Sequence, residues 1–208
     1  MLSERLTMPI GQAILTQRSV RRFKPDPIPP DVLHLLFEAA VRAPNGGNSQ
    51  TGRFLLVTDH ATIRDFAKLY HEAWWAKRRD EKRSWRTRED IPPTEKSYRA
   101  AAELAETIGG VPALVFAFTV GPGGANSVIP ACQNLMLAAH ALGVGSIPTT
   151  LHLQVMDRFH EMFGIPRDHT FHFCIPLGYP AVAYGLSKRR PTSETVHLDR
   201  WGGKVPWG

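Results

Sequence analysis

The 208-residue sequence has only two cysteines, no apolar run long enough to span a bilayer, and none of the short motifs that mark a nucleophile, a metal or a nucleotide loop. Each absence narrows the chemistry. Cys132 lies in a helical apolar stretch and Cys174 in a strand-like run. Neither has a neighbour at metal-ligand or redox spacing, so both are expected as small core residues in a reducing compartment. The first residues lack a charged region followed by an apolar one. No signal peptide and a cytoplasmic location are therefore expected. The segment from His160 to Gly164 begins like a zinc-protease helix but has Gly164 where the second histidine belongs, and His169 and His172 do not converge with it, so no metal site is expected. There is no Walker loop and no nucleophile elbow. Gly143-Val144-Gly145 leads to Pro148 rather than to the third glycine of a dinucleotide fingerprint. Glycine loops and arginines without a nucleophile, metal or acid pair suggest chemistry supplied by a bound cofactor.

What is present suffices for a folded core. Hydrophobic residues make up 43% of the chain, which suits one domain, or one domain with an insertion. The formal charge of +6 suits an anionic cofactor, a nucleotide or a polyanion, although seven basic residues crowd between Lys77 and Arg88. Apolar residues recur with helical period in Ile10–Thr16, Asp31–Arg42, the stretch after Asp59 (Ile63, Phe66, Ala67, Tyr70), Thr94–Ile108, Ile129–Leu142 and about Gln154–Phe163. Strands are expected at Arg53–Thr58, Ala113–Val120, Ser146–Leu151 and Thr170–Leu177, and Ala113–Val120 is apolar enough to be covered on both faces. The stretch Ile129–Leu142 is apolar nearly all round, so it is expected as a buried helix that ends at Gly143 and aims the following turn at a ligand.

Three other stretches attract attention. Gln17-Arg18-Ser19-Val20-Arg21-Arg22-Phe23 combines guanidinium forks with a hydroxyl, which suits a phosphate or simply a solvated loop. Asn45-Gly46-Gly47-Asn48-Ser49-Gln50 can be a turn, or can set amides against a flat polar ligand. Trp74 and Trp75 precede the basic run Lys77–Pro93, which is expected as an exposed excursion. A solvent-facing lid is its commoner meaning and a nucleic-acid grip the rarer one.

Taken in order, four segments resemble the FMN-dependent nitroreductase family, including its iodotyrosine-dehalogenase-like and flavin-destructase-like branches. They are Gln17–Phe23, like the family's Arg-Arg-Ser-x-Arg-x-Phe; Ala43–Gln50, like its Ala-Pro-Ser-x-x-Asn-x-Gln loop; Gln133–Thr150; and Pro176–Pro180 with Lys188–Pro191. The resemblance implies an α+β sandwich, a mostly antiparallel central sheet flanked by helices, in an intertwined homodimer. One domain would span residues 1–208, with a variable lid insertion at about 60–110 and a dimer-embracing tail at about 179–208. It implies FMN as cofactor and NADH or NADPH as co-substrate. Hydride would pass in ping-pong fashion through flavin N5 to a small electron-poor acceptor, with reductive dehalogenation or natural-product dehydrogenation as the alternative. No membrane association is implied, and nucleic acid is disfavoured. By position, Arg18 and Ser19 would hold the phosphate and ribityl end, with Gln17 standing where the family has an arginine, and Arg21 would face N1 and O2. Asn45, Gly46 and Asn48 would approach from the partner subunit. Pro148, Thr149 and Thr150 would line the ring edge with Thr150 near N5, Arg189 would return to the phosphate, and Trp74 and Trp75 would belong to the substrate lid. Thr51-Gly52 stands where the family usually has Pro-Trp.

Overall fold

In the computed structural model, which describes residues 2–121, 123–183 and 185–207, strand β2 is the axis of packing. β2 (Ala113–Val120) lies between β1 (Gly52–Val57) and β4 (His169–Gly178), and two-residue β3 (Gly145–Ser146) extends the far edge. The order is β1-β2-β4-β3 and every neighbouring pair is antiparallel. The α+β sandwich follows from the side-chain alternation of β2. Leu114, Phe116 and Phe118 point into one core, and Ala113, Val115 and Ala117 into another. The first core is roofed by α4 (His60–Asp80), α5 (Lys96–Thr107) and α7 (Met156–Phe163), the second by α3 (Pro30–Ala40) and α6 (Ala125–Ala141). Two short helices, α1 (Leu2–Arg5) and α2 (Ile10–Thr16), precede them.

Local chemistry explains the boundaries. Asp59 caps α4 by accepting from the Thr62 amide at 2.8 Å. Pro30 opens α3 at a position where its missing N–H costs nothing. Gly164, left-handed at φ 61°, ends α7.

The structure revises three expectations. The helix expected from Ile129 begins four residues earlier, after left-handed Gly124, and takes Pro130 into its body. The run Ser146–Leu151 is not a continuous strand. Pro148 has no N–H to donate to a ladder, so pairing lapses after Ser146 and returns only as a bridge in which Thr149 and Cys174 exchange two 2.8 Å backbone bonds. Most important, the segment from Lys77 is not an excursion from its first residue. α4 continues through Asp80, Arg78 is buried, and Ile91 further on is fully buried. Only residues 81–95 form the irregular connector to α5. Cys132 and Cys174 are buried free thiols. No helix among the described residues is long and apolar enough to cross a membrane.

Candidate functional site

The basic segment after α2 is docked rather than solvated. Val20 donates its amide to the Ser146 carbonyl at 3.0 Å, Ser19 forms a parallel bridge to Ser146, and Lys24 and Ala181 donate to the Tyr179 and Arg22 carbonyls at 2.8 and 3.0 Å. Residues 19–24 thus run as an irregular extra strand along β3 and the end of β4. Two glycines permit this approach. A Cβ on Gly145 would lie 2.8 Å from both γ-carbons of Val20, and one on Gly178 would lie 2.9 Å from Pro112 and 3.0 Å from Phe23. The docking brings Gln17, Arg18, Ser19 and Arg21 to the end of the sheet where Pro148, Thr149 and Thr150 emerge.

A 520 Å³ cavity opens beside this seam, lined by Gln17, Arg18, Lys24, His140, Ser146 and the backbone around Pro180–Ala183 among others. None of its lining residues is acidic, so its donor set suits an anion. The tail passes close by. Arg18 donates to the Leu186 carbonyl at 3.1 Å, and Ser187 to the Leu15 carbonyl at 3.2 Å. Arg189 follows two residues later, exposed, with its guanidinium on the Lys188 carbonyl at 2.8 Å.

On the other side of the seam, Thr149 donates its hydroxyl to the Cys174 carbonyl at 3.0 Å. Tyr70 of α4 is 4% exposed, and burial, reinforced by the Cys174 thiol, pushes its phenol above the usual tyrosine range, against the opposing pull of the Thr149 hydroxyl and the charges of Arg21 and Arg78. Tyr70 therefore stays a neutral hydroxyl among groups that include two guanidiniums. One helical turn beyond Trp74, Lys77 donates to the Thr150 carbonyl at 3.1 Å and also to its hydroxyl. Burial, and next the Arg78 charge, lower the Lys77 ammonium below the usual lysine range, with Glu81 opposing. Arg78 lies 4.7 Å from the Trp74 ring centre and 5.0 Å from that of Tyr98, and pairs with Glu81 at 2.8 Å.

The Asn45 loop is elsewhere. Gly46 donates its amide to the Ser127 hydroxyl at 3.1 Å, near the start of α6, whereas Thr16 meets His140 near its end at 2.7 Å. The two places are separated by about 20 Å of helix at 1.5 Å per residue. The Asn45 side-chain oxygen is spent on its own loop, accepting from Gln50 and Ser49, and Asn48 takes a left-handed φ of 50°. Trp74 and Trp75 are buried, stacked edge-to-face at 4.6 Å, and belong to the core beneath the site. Sequence reasoning missed Tyr70, Lys77 and Arg78. Their signal was the helical spacing itself, since 70, 74, 77, 78 and 81 continue one face of α4 past the point where the apolar pattern stops.

The fold agrees with that of known proteins. A Thermus thermophilus NADH dehydrogenase is 30% identical over 204 residues, covering 88% of this chain and 93% of its own. An iodotyrosine deiodinase of Thermotoga neapolitana is 26% identical over 167 residues, covering 79% of this chain and 84% of its own. Among solved structures, an iodotyrosine deiodinase bound to FMN and 3-iodo-L-tyrosine superposes with a TM-score of 0.70 at 23% identity, covering 92% of this chain and 96% of that one. The nitroreductase family model matches residues 14–179, a span from the end of α2 to the end of β4 that contains both the docked basic segment and the Thr149–Thr150 turn, and the chain belongs to the nitroreductase family.

Proposed function

We propose that the chain is an FMN-dependent oxidoreductase that takes hydride from NADH or NADPH and passes it to an electron-poor acceptor such as a nitroaromatic or a quinone. The observation that carries this reading is the docking of residues 18–21 on Ser146, which sets guanidiniums and hydroxyls beside the Thr149–Thr150 turn. The donor set fits the cofactor: an acid-free cavity at Arg18 for a phosphate, and Arg21 with the neutral hydroxyls of Tyr70 and Thr149 for a polar ring edge. When bound, FMN supplies a ring that accepts and returns hydride. The chain's own work is to hold and polarise it. Arg18 and Ser19 would hold the phosphate end with Gln17 alongside, Arg21 would set positive charge beside the ring, and Pro148, Thr149 and Thr150 would border it.

The site is completed by a second copy. Asn45, Gly46 and Asn48 lie about a helix length from Arg18 within one chain, so they reach a flavin only across an interface. Exposed apolar residues provide that interface: Ile10, Ile14 and Leu15 on α2, Ile129 on α6, and Leu186, Trp201 and Trp207 in the tail, of which Trp201 is 91% exposed. We read residues 1–208 as one domain, with the tail embracing the partner and Arg189 reaching the phosphate end.

The test is reconstitution with FMN followed by anaerobic addition of NADH or NADPH. Stoichiometric flavin in a dimer that bleaches on reduction is expected; a monomer that retains no flavin overturns the reading. The similarity to deiodinases and the paired hydroxyls of Thr149 and Thr150 favour reductive dehalogenation as the second reading. Halide release from a halophenol by the reduced protein decides for it.

A further inference from the structure

Of the seven basic residues between Lys77 and Arg88, three are committed within the fold: Lys77 to the Thr150 carbonyl at 3.1 Å, Arg78 to Glu81 at 2.8 Å and Arg88 to Glu106 at 3.3 Å. Three of the others gather in one place. Arg79, Arg83 and Arg86 line a cavity of 740 Å³ with His71, Trp75 and Trp85, and none of the three has a carboxylate within ion-pair distance among the described residues. Glu72 is the single carboxylate in the lining, and Arg158 already holds it at 2.6 Å, with Arg79 acting on it only at longer range. The chain builds this gathering locally. Lys82, left-handed at φ 56°, reverses the backbone after α4, with its amide on the Arg79 carbonyl and the Arg83 amide on the Arg78 carbonyl, both at 2.9 Å. Asp90 then pins the returning chain by accepting from the Arg86 and Thr87 amides at 2.9 and 2.8 Å. The aromatic walls are fixed as well. Trp75 is buried and donates its indole N–H to His71 Nε2 at 3.0 Å, which leaves the ring proton of His71 on Nδ1. Trp85 is half-buried, with Tyr98 edge-on at 5.2 Å and the Arg83 guanidinium 4.7 Å from its ring centre.

This cavity faces away from the flavin seam. At 3.6 residues per turn, His71, Trp75 and Arg79 lie about 100° to 180° around α4 from Tyr70, whereas Trp74, Lys77 and Glu81 lie within about 40° of it. No residue that lines the Arg18 cavity recurs here. We propose that it is a second ligand site and that it takes a nucleoside phosphate, with the phosphate on Arg79, Arg83 and Arg86 and the base against Trp85. A carboxylate would bring one charge to three guanidiniums, whereas a phosphate monoester brings about two, with three acceptor oxygens that suit arginine forks. Inorganic phosphate alone would leave both indoles and most of the 740 Å³ unused, and that volume falls within the roughly 300–1,000 Å³ of small-molecule sites. Such a site goes beyond the function proposed above and stands without it.

The test is isothermal titration calorimetry of the FMN-loaded protein with AMP, adenosine and inorganic phosphate. AMP is expected to bind at one site per chain, about tenfold or more tighter than either fragment, and to weaken as salt rises. Arg83→Gln combined with Arg86→Gln is expected to weaken AMP about tenfold or more, and Trp85→Leu to erase the advantage of AMP over phosphate. Both arginines are exposed, and Arg86 meets Asp90 through its backbone, so the double variant folds. Its flavin content, read by absorbance on the same samples, is expected to match the native protein. AMP that does not bind, binds no tighter than inorganic phosphate, or binds undiminished to the double variant overturns the site. Loss of flavin from the double variant overturns its separateness. A dT oligomer that binds tighter than AMP in proportion to its length also overturns it, in favour of a nucleic-acid grip. A protein that holds no FMN overturns the function proposed above, while the AMP titrations are still read on the flavin-free chain.

Discussion

The two faces of the sheet differ in how they are closed, and the difference locates the chemistry. On the face of Val115, helices α3 and α6 pack through small residues, including Ala39, Ala40, Ala131, Ala138 and Ala139, and are linked by the Asn134 amide on the Ala39 carbonyl at 3.2 Å. On the face of Phe116, rings fill the space: Phe66, Phe159 and Phe163 lie 4.8, 5.0 and 5.1 Å from it, centre to centre. Small side chains let helices approach closely and leave no room for polar groups. An aromatic layer is rigid and stands α4 on a fixed wall. α4 has 21 residues, about 32 Å of helix, against about 27 Å for the eight residues of β2. Its last turns therefore overrun the aromatic layer and bring Lys77 onto Thr150, while Tyr70 at mid-helix meets Thr149. The Phe116 face carries a polar seam along α4; the Val115 face is mainly scaffold, with His140 near the end of α6 reaching the anion cavity.

The sharpest way to break this contrast is to hollow each core in turn. Phe116→Ala is expected to cost about 3–5 kcal/mol and Leu36→Ala about 2–5 kcal/mol, both read from urea denaturation. Only Phe116→Ala should also weaken flavin retention in the folded protein, because only it loosens the wall beneath α4. Equal flavin loss in both variants would show that the two faces are not functionally distinct. A smaller effect is expected at the seam. Gly145→Ala forces its new Cβ against Val20, at about 1–3 kcal/mol of strain, and lowers flavin affinity by displacing residues 18–21. An unchanged affinity in the folded variant would separate the docked segment from the site.

The smallest effect is expected from pH. Burial holds His140 and His172 below the ordinary histidine value of 6.5. Each therefore binds its proton less readily folded than unfolded, so the stability present at neutral pH is lost as pH falls from 6.5 through the folded values. Urea midpoints should drop between about pH 7.5 and about pH 5, and His140→Gln and His172→Gln should each flatten that slope. A pH-independent midpoint in the native protein would contradict the partial burial of both rings.

Much of this was legible from residue order. The eight apolar residues of β2 read as a doubly covered strand and are one, because a strand buried on both faces needs no alternation. Ile10–Thr16 has the predicted bounds and Asp59 caps as expected, since both depend on neighbours within a turn. The Arg18–Arg21 segment and the Thr149–Thr150 turn were both singled out in sequence, and the fold brings them together. Lys77 and Arg78 read as surface in the sequence for a definite reason. A cation in a basic run normally stays solvated, and nothing local reveals that Trp74, Tyr98 and Glu81 will enclose one. The pairing of Ser146–Leu151 was overestimated because β-branched composition outweighed the missing donor of Pro148.

The sequence by itself determined most of the elements, the division of β2 between two cores, and the residue types suited to an anionic cofactor, because these depend on period, capping and side-chain chemistry within short windows. Only the tertiary structure decided which charges end up desolvated and which halves of the site lie a helix length apart. Burial is a property of what packs from elsewhere in the chain. Three contacts, Val20 on Gly145, Lys77 on Thr150 and Gly46 on Ser127, join residues between 73 and 125 positions apart, and no local pattern encodes them.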